Sequence, residues 1–503
     1  MPQALFSVFD KAGLVDLARR LSALGWNLLA SGGTAKALRV AGLEVEEIAD
    51  YTGAPEILGG RVKTLHPAIH GGILARSSAK DLEDIKSLGY RAVDMVVVNL
   101  YPFEKTAAHP ASSHDDIIEQ IDIGGVALIR AAAKNHERVT VLCDVEDYIS
   151  VVEEIEAAGK VSESMRRALA AKAFALTSAY DTAIADWFSD GAVRPLRGYK
   201  VQTLRYGENP HQSAELYSYE KGRGALGGRV LQGKELSYNN ILDLDAAWLA
   251  VGRFELPAVV VVKHLSPCGI AESETADVSN LPGTLEKAIA CDPISAFGGV
   301  IATNAPFTAA CAESLGTLFA ECIAAPAFDE GALAILAKKK NLRLVIPGEG
   351  AQGDEIRTVL GGFLRQDVDA GDPADAQWRV VSKRPPTASE LRDLEFAWKA
   401  CMSVKSNAIV FAKAEVTVGI GGGQPNRVDS VRIAARHAGE KAQGAVLASD
   451  AFFPFPDSIE EAAKAGITAI VHPGGSMRDG ESIEAADKAG IAMMVTGTRH
   501  FRH

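Results

Sequence analysis

The sequence predicts an α/β protein whose N-terminal part folds as a doubly wound parallel sheet. Short apolar runs alternate with amphipathic helical segments, which is the pattern of βαβ units. Several predicted strands end in glycine, hydroxyl or charged residues, at the sheet edge where open α/β folds bind ligands. Further along, residues 259–262 are four consecutive valines, which is typical of a strand buried on both faces of a sheet.

With 503 residues, the chain is too long for a single hydrophobic core. Its net charge of −12 argues against binding of nucleic acid or of a membrane, although a phosphate group needs only a few local cations. The six cysteines show no CxxC spacing, so we expect neither a zinc cluster nor a disulfide framework. No apolar run reaches the ~18 residues that span a bilayer, and the N-terminus lacks signal-peptide features. We therefore expect a cytoplasmic protein.

Two domains are expected, over residues 1–195 and 196–503, because the chain changes character at residues 194–198. In the first domain, hydrophobic periodicity predicts strands and helices in alternation, and residues 145–190 are largely helical. The predicted strands are 5–9, 27–30, 93–100 and 139–143, and the predicted helices are 12–24, 35–41 and 126–134.

The turn after the second predicted strand contains Ser31, Gly32, Gly33 and Thr34, ahead of a helix. Glycines permit close approach, hydroxyl groups donate hydrogen bonds, and a helix N-terminus supplies free N–H groups and a positive dipole end. This combination predicts a phosphate site, although many α/β loops have a similar composition.

A second candidate phosphate site offers a bidentate donor, a point charge and a hydroxyl between pairs of glycines. These groups belong to Arg61, Lys63 and Thr64, and a solvated basic loop is the alternative. His66 and His70 have the spacing of a metal-binding pair, but Pro67 departs from the HExxH motif and makes a helix unlikely here. We expect these histidines to position a ligand or to pack.

Further candidate groups occur at later strand and helix ends of the first domain. Asn99 and Tyr101 follow a buried strand, whereas Asp122 and Gly124 open a helix that ends at Lys134. Structural alternatives stay open for two of them, because Asp122 could be a simple N-terminal cap and Lys134 could complement the helix dipole.

In the second region, the main candidates are Lys263 and His264, at the end of the valine strand. Neighbouring strand residues point to opposite faces, so the pair can serve one ligand only where the backbone turns. We expect Pro267 and Gly269 to force that turn. A capped strand with a surface lysine and a half-buried histidine is the alternative.

Other stretches of this region combine glycines with aromatic or charged groups. The stretch that contains Arg205 and Tyr206 could be an ordinary loop, whereas the turn at Phe297 and Gly298 could hold a flat ring against the backbone. Residues 421–427, which end in Arg427, form a strand–glycine–helix cradle without the GxGxxG fingerprint of a nicotinamide site. The predicted strands are 408–412, 416–420, 467–471 and 492–495, and the predicted helices are 244–251, 390–401 and 428–438.

A series of motifs follows the chain in order: SGGTAKAL, GGRVKTLHPAIHGGIL, IDIGGVALIRAAAKN, LRYGENPHQ, VVKHLSPCG, SAFGG, KSNAIVFAK, GIGGGQPNR and SDAFFPF. Together they resemble the family of bifunctional purine-biosynthesis proteins that join an AICAR transformylase to an IMP cyclohydrolase. The resemblance covers nearly the whole chain and weakens only at residues 145–195 and 324–380.

The resemblance implies a methylglyoxal-synthase-like N-terminal domain, in which the carboxamide nitrogen attacks the formyl carbon and water is lost. The family's phosphate and ribose contacts match Ser31, Gly32, Gly33, Thr34, Arg61, Lys63 and Thr64. Its base and formyl contacts match Lys11, Asn99, Tyr101, Asp122, Gly124 and Lys134. A cation that stabilises the oxyanion, and a carboxylate or phenol that moves protons, would give catalytic roles to Lys63, Lys134, Asp122 and Tyr101.

For the second domain, the resemblance implies two cytidine-deaminase-like lobes without zinc chemistry. They would transfer a formyl group from the co-substrate 10-formyltetrahydrofolate to the amine of AICAR, with His264 as base and Lys263 stabilising negative charge. Arg205 and Tyr206 would hold the AICAR phosphate. The remaining family contacts match Asn407, Phe297, Gly298 and Arg427 around base or folate, and Arg499 in the nucleotide site. The resemblance also implies a homodimer with this site at its interface and no catalytic metal, and it leaves a monovalent cation open.

Two positions depart from the family pattern. Phe9 stands where the family usually has a serine hydroxyl that faces the cyclohydrolase ligand, and it motivates an alternative, a transformylase with an impaired cyclohydrolase. Ser266 stands where many bacterial relatives carry asparagine, but it retains hydrogen bonding. A non-catalytic nucleotide-binding module is the third hypothesis, although such a module would not need the pair Lys263 and His264.

Overall fold

A computed structural model describes residues 1–193, 196, 198–348 and 353–503. The chain divides into two compact units, Met1–Leu196 (unit 1) and Arg197–His503 (unit 2). Arg194, Pro195 and Arg197, at the boundary expected from the sequence, lie outside the described residues. Within the described ranges, no helix is both long enough and apolar enough to cross a membrane.

Unit 1 is built around a five-stranded sheet in which all neighbouring strands are parallel. Its elements are β1 (Gln3–Val8), α1 (Leu14–Ala23), β2 (Asn27–Ala30), α2 (Gly32–Val40), β3 (Glu46–Glu47), α3 (Ile48–Thr52), α4 (Pro67–Leu74), α5 (Ala79–Ser87), β4 (Met95–Asn99), α6 (Phe103–Ala107), α7 (His114–Ile118), α8 (Gly124–Lys134), β5 (Thr140–Leu142), α9 (Tyr148–Ala158) and α10 (Glu163–Phe188). The strand order β3-β2-β1-β4-β5 confirms the predicted doubly wound sheet. Because the order reverses at β1, the carboxyl ends of β1, β2 and β4 border a crevice.

Helices cover both faces of this sheet, so its central strands are apolar along their whole length. In β4, Val96, Val97 and Val98 are fully buried. Helix α1, which lies within the predicted helix 12–24, buries one apolar face that includes Leu14 and Leu17.

The segment after Thr64 is helical, contrary to the prediction. Helix α4 begins at Pro67, and Nδ1 of the preceding His66 accepts a hydrogen bond from the Ala68 N–H at 3.1 Å. Proline is favourable in a first turn, because its missing N–H would have no helical partner. Gly72 lets α4 pack closely, since a Cβ there would lie 2.4 Å from the Arg91 carbonyl oxygen.

Unit 2 contains two lobes that have the same order of strands and helices, except that the first has one additional short helix, α13. The first lobe comprises β8 (Arg229–Gln232), α11 (Tyr238–Val251), β9 (Ala258–Lys263), β10 (Ser266–Glu272), α12 (Leu281–Ile289), α13 (Pro293–Ala296), β11 (Gly299–Thr303), α14 (Ala309–Ser314), β12 (Ala320–Ala324), α15 (Glu330–Leu336) and β13 (Arg343–Ile346). The second comprises β16 (Arg379–Val380), α16 (Ala388–Cys401), β17 (Ile409–Ala412), β18 (Thr417–Gly421), α17 (Arg427–Ala438), β19 (Val446–Ser449), α18 (Asp457–Ala465), β20 (Ala469–His472), α19 (Asp479–Ala489) and β21 (Ala492–Val495). Two hairpins, β6 (Tyr199–Leu204) with β7 (Ala214–Ser218) and β14 (Glu355–Val359) with β15 (Gly362–Gln366), stand outside both lobes.

Each lobe forms a mixed six-stranded sheet, in the orders β10-β9-β11-β12-β13-β8 and β18-β17-β19-β20-β21-β16. In both, an antiparallel hairpin is followed by three mutually parallel strands and then by an antiparallel edge strand. The valine strand predicted at 259–262 lies in β9, and all four valines are fully buried.

The two lobes are joined by a shared core and by hydrogen bonds. Helices α11 and α16 pack between the sheets in one apolar cluster. Ala271 forms a bridge with Val416, while the Thr417 hydroxyl accepts from the Ile270 N–H at 2.8 Å and donates to the Ile270 carbonyl at 3.1 Å. The loops beside this junction are therefore held in place by both lobes.

Candidate active sites

A cavity of about 600 Å³ lies in unit 1 at the carboxyl ends of β1, β2 and β4. It brings together most of the residues predicted for the first domain, which are Lys11, Ser31, Gly33, Thr34, Arg61, Lys63, Thr64, Asn99, Tyr101, Asp122 and Gly124. Gly32 lies beside it, because a Cβ at that position would be 3.9 Å from the Lys63 Nζ. The structure thus gathers residues from five separate stretches of sequence at one crevice.

Lys134 is the exception. It is the last residue of α8, whose first residue, Gly124, lines the cavity. An α-helix of this length separates its ends by about 15 Å. Lys134 is also exposed and does not line the cavity. Lys134 therefore lies at the end of α8 that is away from the cavity, although it was predicted to contact the ligand.

The phosphate-binding features lie on the β2 side of the cavity. Helix α2 begins at Gly32 directly after Ser31, whose side chain makes no capping hydrogen bond to the first turn. The N–H groups of that turn therefore have no side-chain partner. Thr34 is buried, and its hydroxyl donates to the Val8 carbonyl at 3.1 Å and accepts from the Val8 N–H at 3.2 Å, so it ties α2 to β1.

Two of the cations that line the cavity form ion pairs with carboxylates that were not predicted from the sequence. The Lys63 Nζ is 2.7 Å from a Glu56 oxygen, and the Arg61 guanidinium is bound by Glu119. The hydrogen bond from Arg61 lowers the pKa of Glu119. The four side chains are between 32% and 62% exposed. Solvent therefore screens both ion pairs, and an anion can compete with the carboxylates for the two cations.

The β1–β4 side of the cavity is partly aromatic. The rings of Phe9 and Tyr101 meet edge to face, with centroids 5.6 Å apart, and Phe9 is 51% exposed. Asn99 holds this turn, because its Oδ1 accepts from the N–H groups of Phe9 and Asp10 at 2.5 and 3.0 Å. The Lys11 ammonium donates to the Phe9 carbonyl at 3.0 Å, and burial lowers the pKa of Lys11.

Asp122 lies at the start of α8. Its Oδ1 accepts from the Gly125 N–H at 2.6 Å, which is the contact of a helix cap, and its own N–H donates to the Tyr180 hydroxyl at 2.8 Å. Burial nevertheless raises the pKa of Asp122 above its ordinary value. A raised pKa makes a carboxyl easier to protonate, so the capping contact and a role in proton transfer are compatible.

A second cavity, of about 320 Å³, lies in unit 2 between the two lobes. Lys263 and His264 both line it, as predicted, but the turn differs from the prediction. Lys263 pairs with Ser266, so His264 and Leu265 alone form the turn, at φ values of 53° and 63°. Pro267 is already part of β10. Each left-handed residue of this kind costs about 1–2 kcal/mol unless glycine occupies it.

Other polar groups of this cavity had not been singled out as site residues. The opposite lobe contributes Lys405, Gln424 and His437, whereas Asp292 caps the start of α13 and Ser295 lies within that helix. The Lys263 Nζ donates to the Phe297 carbonyl at 2.6 Å, which explains how the predicted Phe297 turn contacts the site. Gly298 adopts a φ of 72°, and a Cβ there would lie 3.9 Å from the same Nζ.

The other residues predicted for the transformylase do not line this cavity. Arg427 is only 6% exposed, and it donates to the Asn407 Oδ1 at 2.6 Å and to the Asp450 carboxylate. Arg205 lies over the Tyr206 ring at 5.9 Å, and Arg499 lies over the Phe501 ring at 4.3 Å. The structure thus places Arg427 and Asn407 in a buried network, and the remaining arginines elsewhere on unit 2.

Comparisons with known proteins agree with this architecture. The AICARFT/IMPCHase bienzyme family model matches residues 132–437, and the MGS-like domain model matches residues 13–127. The bifunctional purine biosynthesis protein PurH of Desulfitobacterium hafniense is 51% identical over 520 residues, with 100% of this chain and 99% of that protein covered. The PurH of Parvibaculum lavamentivorans is 49% identical over 526 residues, covering 100% and 97%. A crystal structure of ForH covers 39% of this chain and 100% of its own, at 40% identity and a TM-score of 0.35.

The similarity extends over both units, and the relatives are named as bifunctional over their full length. No comparison favours a transformylase that lacks the second activity, so the alternative motivated by Phe9 is not supported. Accordingly, the chain belongs to the AICARFT/IMPCHase bienzyme family, and it is both an AICAR transformylase and an IMP cyclohydrolase.

Proposed function

We propose that the unit 1 cavity closes the purine ring and that the unit 2 cavity transfers the formyl group from 10-formyltetrahydrofolate. The observation that supports this division is the different chemistry of the two cavities. The first combines paired cations and a helix N-terminus with a carboxyl and a phenol. The second places an imidazole and an ammonium on one tight turn.

In unit 1, the nucleotide phosphate would lie at the start of α2 and would compete with Glu56 and Glu119 for Lys63 and Arg61. The base would then extend across β1 towards Tyr101. The carboxamide nitrogen attacks the formyl carbon, a cation stabilises the oxyanion, and the oxygen leaves as water after it gains two protons, one lost by the attacking nitrogen and one by the formamido nitrogen. Asp122 and Tyr101 are the groups available to take the nitrogen's proton and to return one to the leaving oxygen.

In unit 2, the amine of AICAR attacks the formyl carbon of 10-formyltetrahydrofolate. His264 takes the proton that the amine loses, and Lys263 stabilises the negative charge that develops on the formyl oxygen. When the bond from that carbon to the folate nitrogen breaks, the nitrogen accepts a proton and tetrahydrofolate leaves. Lys263 donates to one carbonyl in the structure and, with three N–H groups, retains donors for this role.

We further propose that unit 2 works as a homodimer in the cytoplasm. Arg205, Tyr206 and Arg499 match the family's ligand contacts but lie outside the cavity that holds His264, so a second copy could supply them. Tyr217 and Tyr219 are more than half exposed beside this stretch, which suits a surface that meets a partner. Size measurement in solution, with the transformylase rate followed as the protein is diluted, tests this proposal.

The two sites can be tested separately, because formyl-AICAR and IMP separate by chromatography. We expect His264→Ala to lower formyl transfer by a factor on the order of 10²–10⁴ while conversion of supplied formyl-AICAR to IMP is unchanged. Lys63→Met should do the reverse. Lys160→Met, which removes an exposed lysine of unit 1, is the charge-matched control. Full transfer by His264→Ala, or loss of both activities in either variant, would overturn the division.

A further inference from the structure

The turn that carries His264 has an unusual sequence for its shape. Two-residue hairpin turns with positive φ at both positions normally use asparagine or aspartate followed by glycine. Here the two positions are His264 and Leu265, and although histidine tolerates a left-handed backbone, leucine stands where glycine is usual. Because the imidazole projects from the tip of this turn, its direction depends on what holds the backbone in that conformation.

One side chain from outside the hairpin bonds to the turn. The Oδ1 of Asp243, on α11, accepts a hydrogen bond from the Leu265 N–H at 2.7 Å. Helix α11 is fixed in place, since it begins with a capping box at Ser237 and Asn240 and packs in the shared core of the lobes. The carboxylate therefore ties the second left-handed residue to a rigid support.

The second lobe repeats the same arrangement. Its hairpin turn is Ala414–Glu415, with φ values of 54° and 51°, and the Glu415 N–H donates to the Oδ1 of Asp393 at 2.9 Å. Asp393 is the sixth residue after the cap Thr387, just as Asp243 is the sixth after Ser237. This second turn carries no imidazole. An aspartate on the preceding helix is therefore a recurrent way of holding this left-handed turn.

From this geometry, we propose that Asp243 is a positioning residue for formyl transfer, which holds the left-handed turn and thereby aims His264 at the cavity. This inference rests on the proposed role of His264 as the base. Without the carboxylate, the turn would relax towards backbone conformations that Leu265 prefers, and the imidazole would move with it. Misplacement of a catalytic group by about 1 Å can lower a rate by about 100-fold.

The two lobes offer a matched pair of variants. We expect Asp243→Ala to lower kcat for formyl transfer between about tenfold and 100-fold, while the KM for AICAR changes less than about threefold. Asp243→Asn retains an acceptor oxygen and should recover most of the rate. Asp393→Ala removes the same hydrogen bond from a turn without a catalytic group, so its kcat should stay close to that of the wild type. Equal losses of kcat in both alanine variants would refute the proposal.

A second-site variant separates positioning from loss of fold. Glycine adopts a left-handed backbone without cost, so Leu265→Gly in the Asp243→Ala background should restore part of the lost kcat. Failure of this rescue in a folded protein would overturn the inference. His264→Ala, assayed in parallel, tests the role of His264 as base separately from the positioning role of Asp243. If that variant keeps full activity, the role of His264 as base is wrong, whereas wild-type kcat in Asp243→Ala refutes only the positioning role.

Discussion

His500 is enclosed by two carboxylates of the segment between the lobes. Its Nδ1 is 2.7 Å from an Asp369 oxygen, its Nε2 is 2.8 Å from an Asp372 oxygen, and the side chain is 3% exposed. Burial alone would lower the pKa of His500, but the hydrogen bonds to both carboxylates raise it above its ordinary value. We therefore predict that His500→Gln destabilises unit 2 in a pH-dependent way.

The magnitude follows from the contacts. Hydrogen bonds to charged groups contribute about 1.5–3 kcal/mol each, and a glutamine can replace at most one of the two. The Asp369 side chain is 40% exposed and the Asp372 side chain 22%, so solvent weakens the first contact more than the second. We expect a loss of about 2 kcal/mol in the free energy of unfolding where the imidazole is charged.

The sign of the pH effect comes from linkage. A histidine whose folded-state pKa is raised contributes fully below its unfolded value of about 6.5, and this contribution is lost as pH rises through the folded-state pKa. The pKa values of Asp369 and Asp372 are lowered, against the effect of burial, by hydrogen bonds that include those from His500. The stability that these two aspartates contribute is present above about pH 3.9 and is lost as pH falls through their folded-state pKa values. The cost of His500→Gln should thus be largest near about pH 6 and should shrink in alkali.

Urea unfolding followed by tryptophan fluorescence measures this directly. The Trp398 ring is 5.4 Å from the His500 ring, and the indole N–H groups of Trp378 and Trp398 donate to Asp372 at 3.2 and 3.0 Å. The exposed His503, changed to glutamine, is the control. A loss of stability that is the same at every pH, or no larger than in the control, would refute the reasoning.

Two further predictions concern the other clusters. Phe9→Ala should weaken the binding of IMP about tenfold, which is the effect of losing one stacking contact, and should leave the binding of ribose 5-phosphate unchanged. Calorimetry with both ligands measures this, and equal weakening of both would exclude a contact between Phe9 and the base. Arg427→Met leaves the Asp450 carboxylate, whose side chain is 0% exposed, without its cation. We expect this change to lower the free energy of unfolding, measured with urea, by about 3–5 kcal/mol. A cost below about 1 kcal/mol would mean that the pair is not needed for the fold.

The fold of unit 1 was accessible from the sequence because a parallel sheet has a simple pattern of buried strands and intervening helices. The lobes of unit 2 were harder to predict in detail. A strand buried on both faces looks the same whether its neighbours are parallel or antiparallel, and β9 is antiparallel to both β10 and β11. The turn at His264 and Leu265 also carries no local signal, because a hydrogen bond from a distant helix replaces the usual glycine.

The candidate sites were predictable where function depends on a run of adjacent residues. Glu56 and Glu119 were missed because ion pairs across a cavity follow no spacing in sequence. His437, in the last turn of α17, lines the unit 2 cavity although it belongs to none of the motifs noted in the sequence. Lys134 shows the reverse case, since the motif that contains it spans a helix, and Lys134 therefore lies away from the cavity that Gly124 lines.

The two lobes of unit 2 share one further contact at their hairpin turns. In each lobe, the lysine that precedes the turn donates to a backbone carbonyl. Lys263 reaches the Phe297 oxygen at 2.6 Å, and Lys413 reaches the Gln443 oxygen at 2.8 Å. The lysine contact is therefore common to both lobes.

The residue after this lysine differs between the lobes, because it is His264 in the first lobe and Ala414 in the second. Beside Ala414, the second hairpin joins the lobes through the bridge between Val416 and Ala271. The first hairpin forms the other half of this joint, because Ala271 lies in β10, yet its turn also lines a cavity. Both hairpins therefore hold the lobes together through their strands, and the turn of the first one presents an imidazole to the space between the lobes.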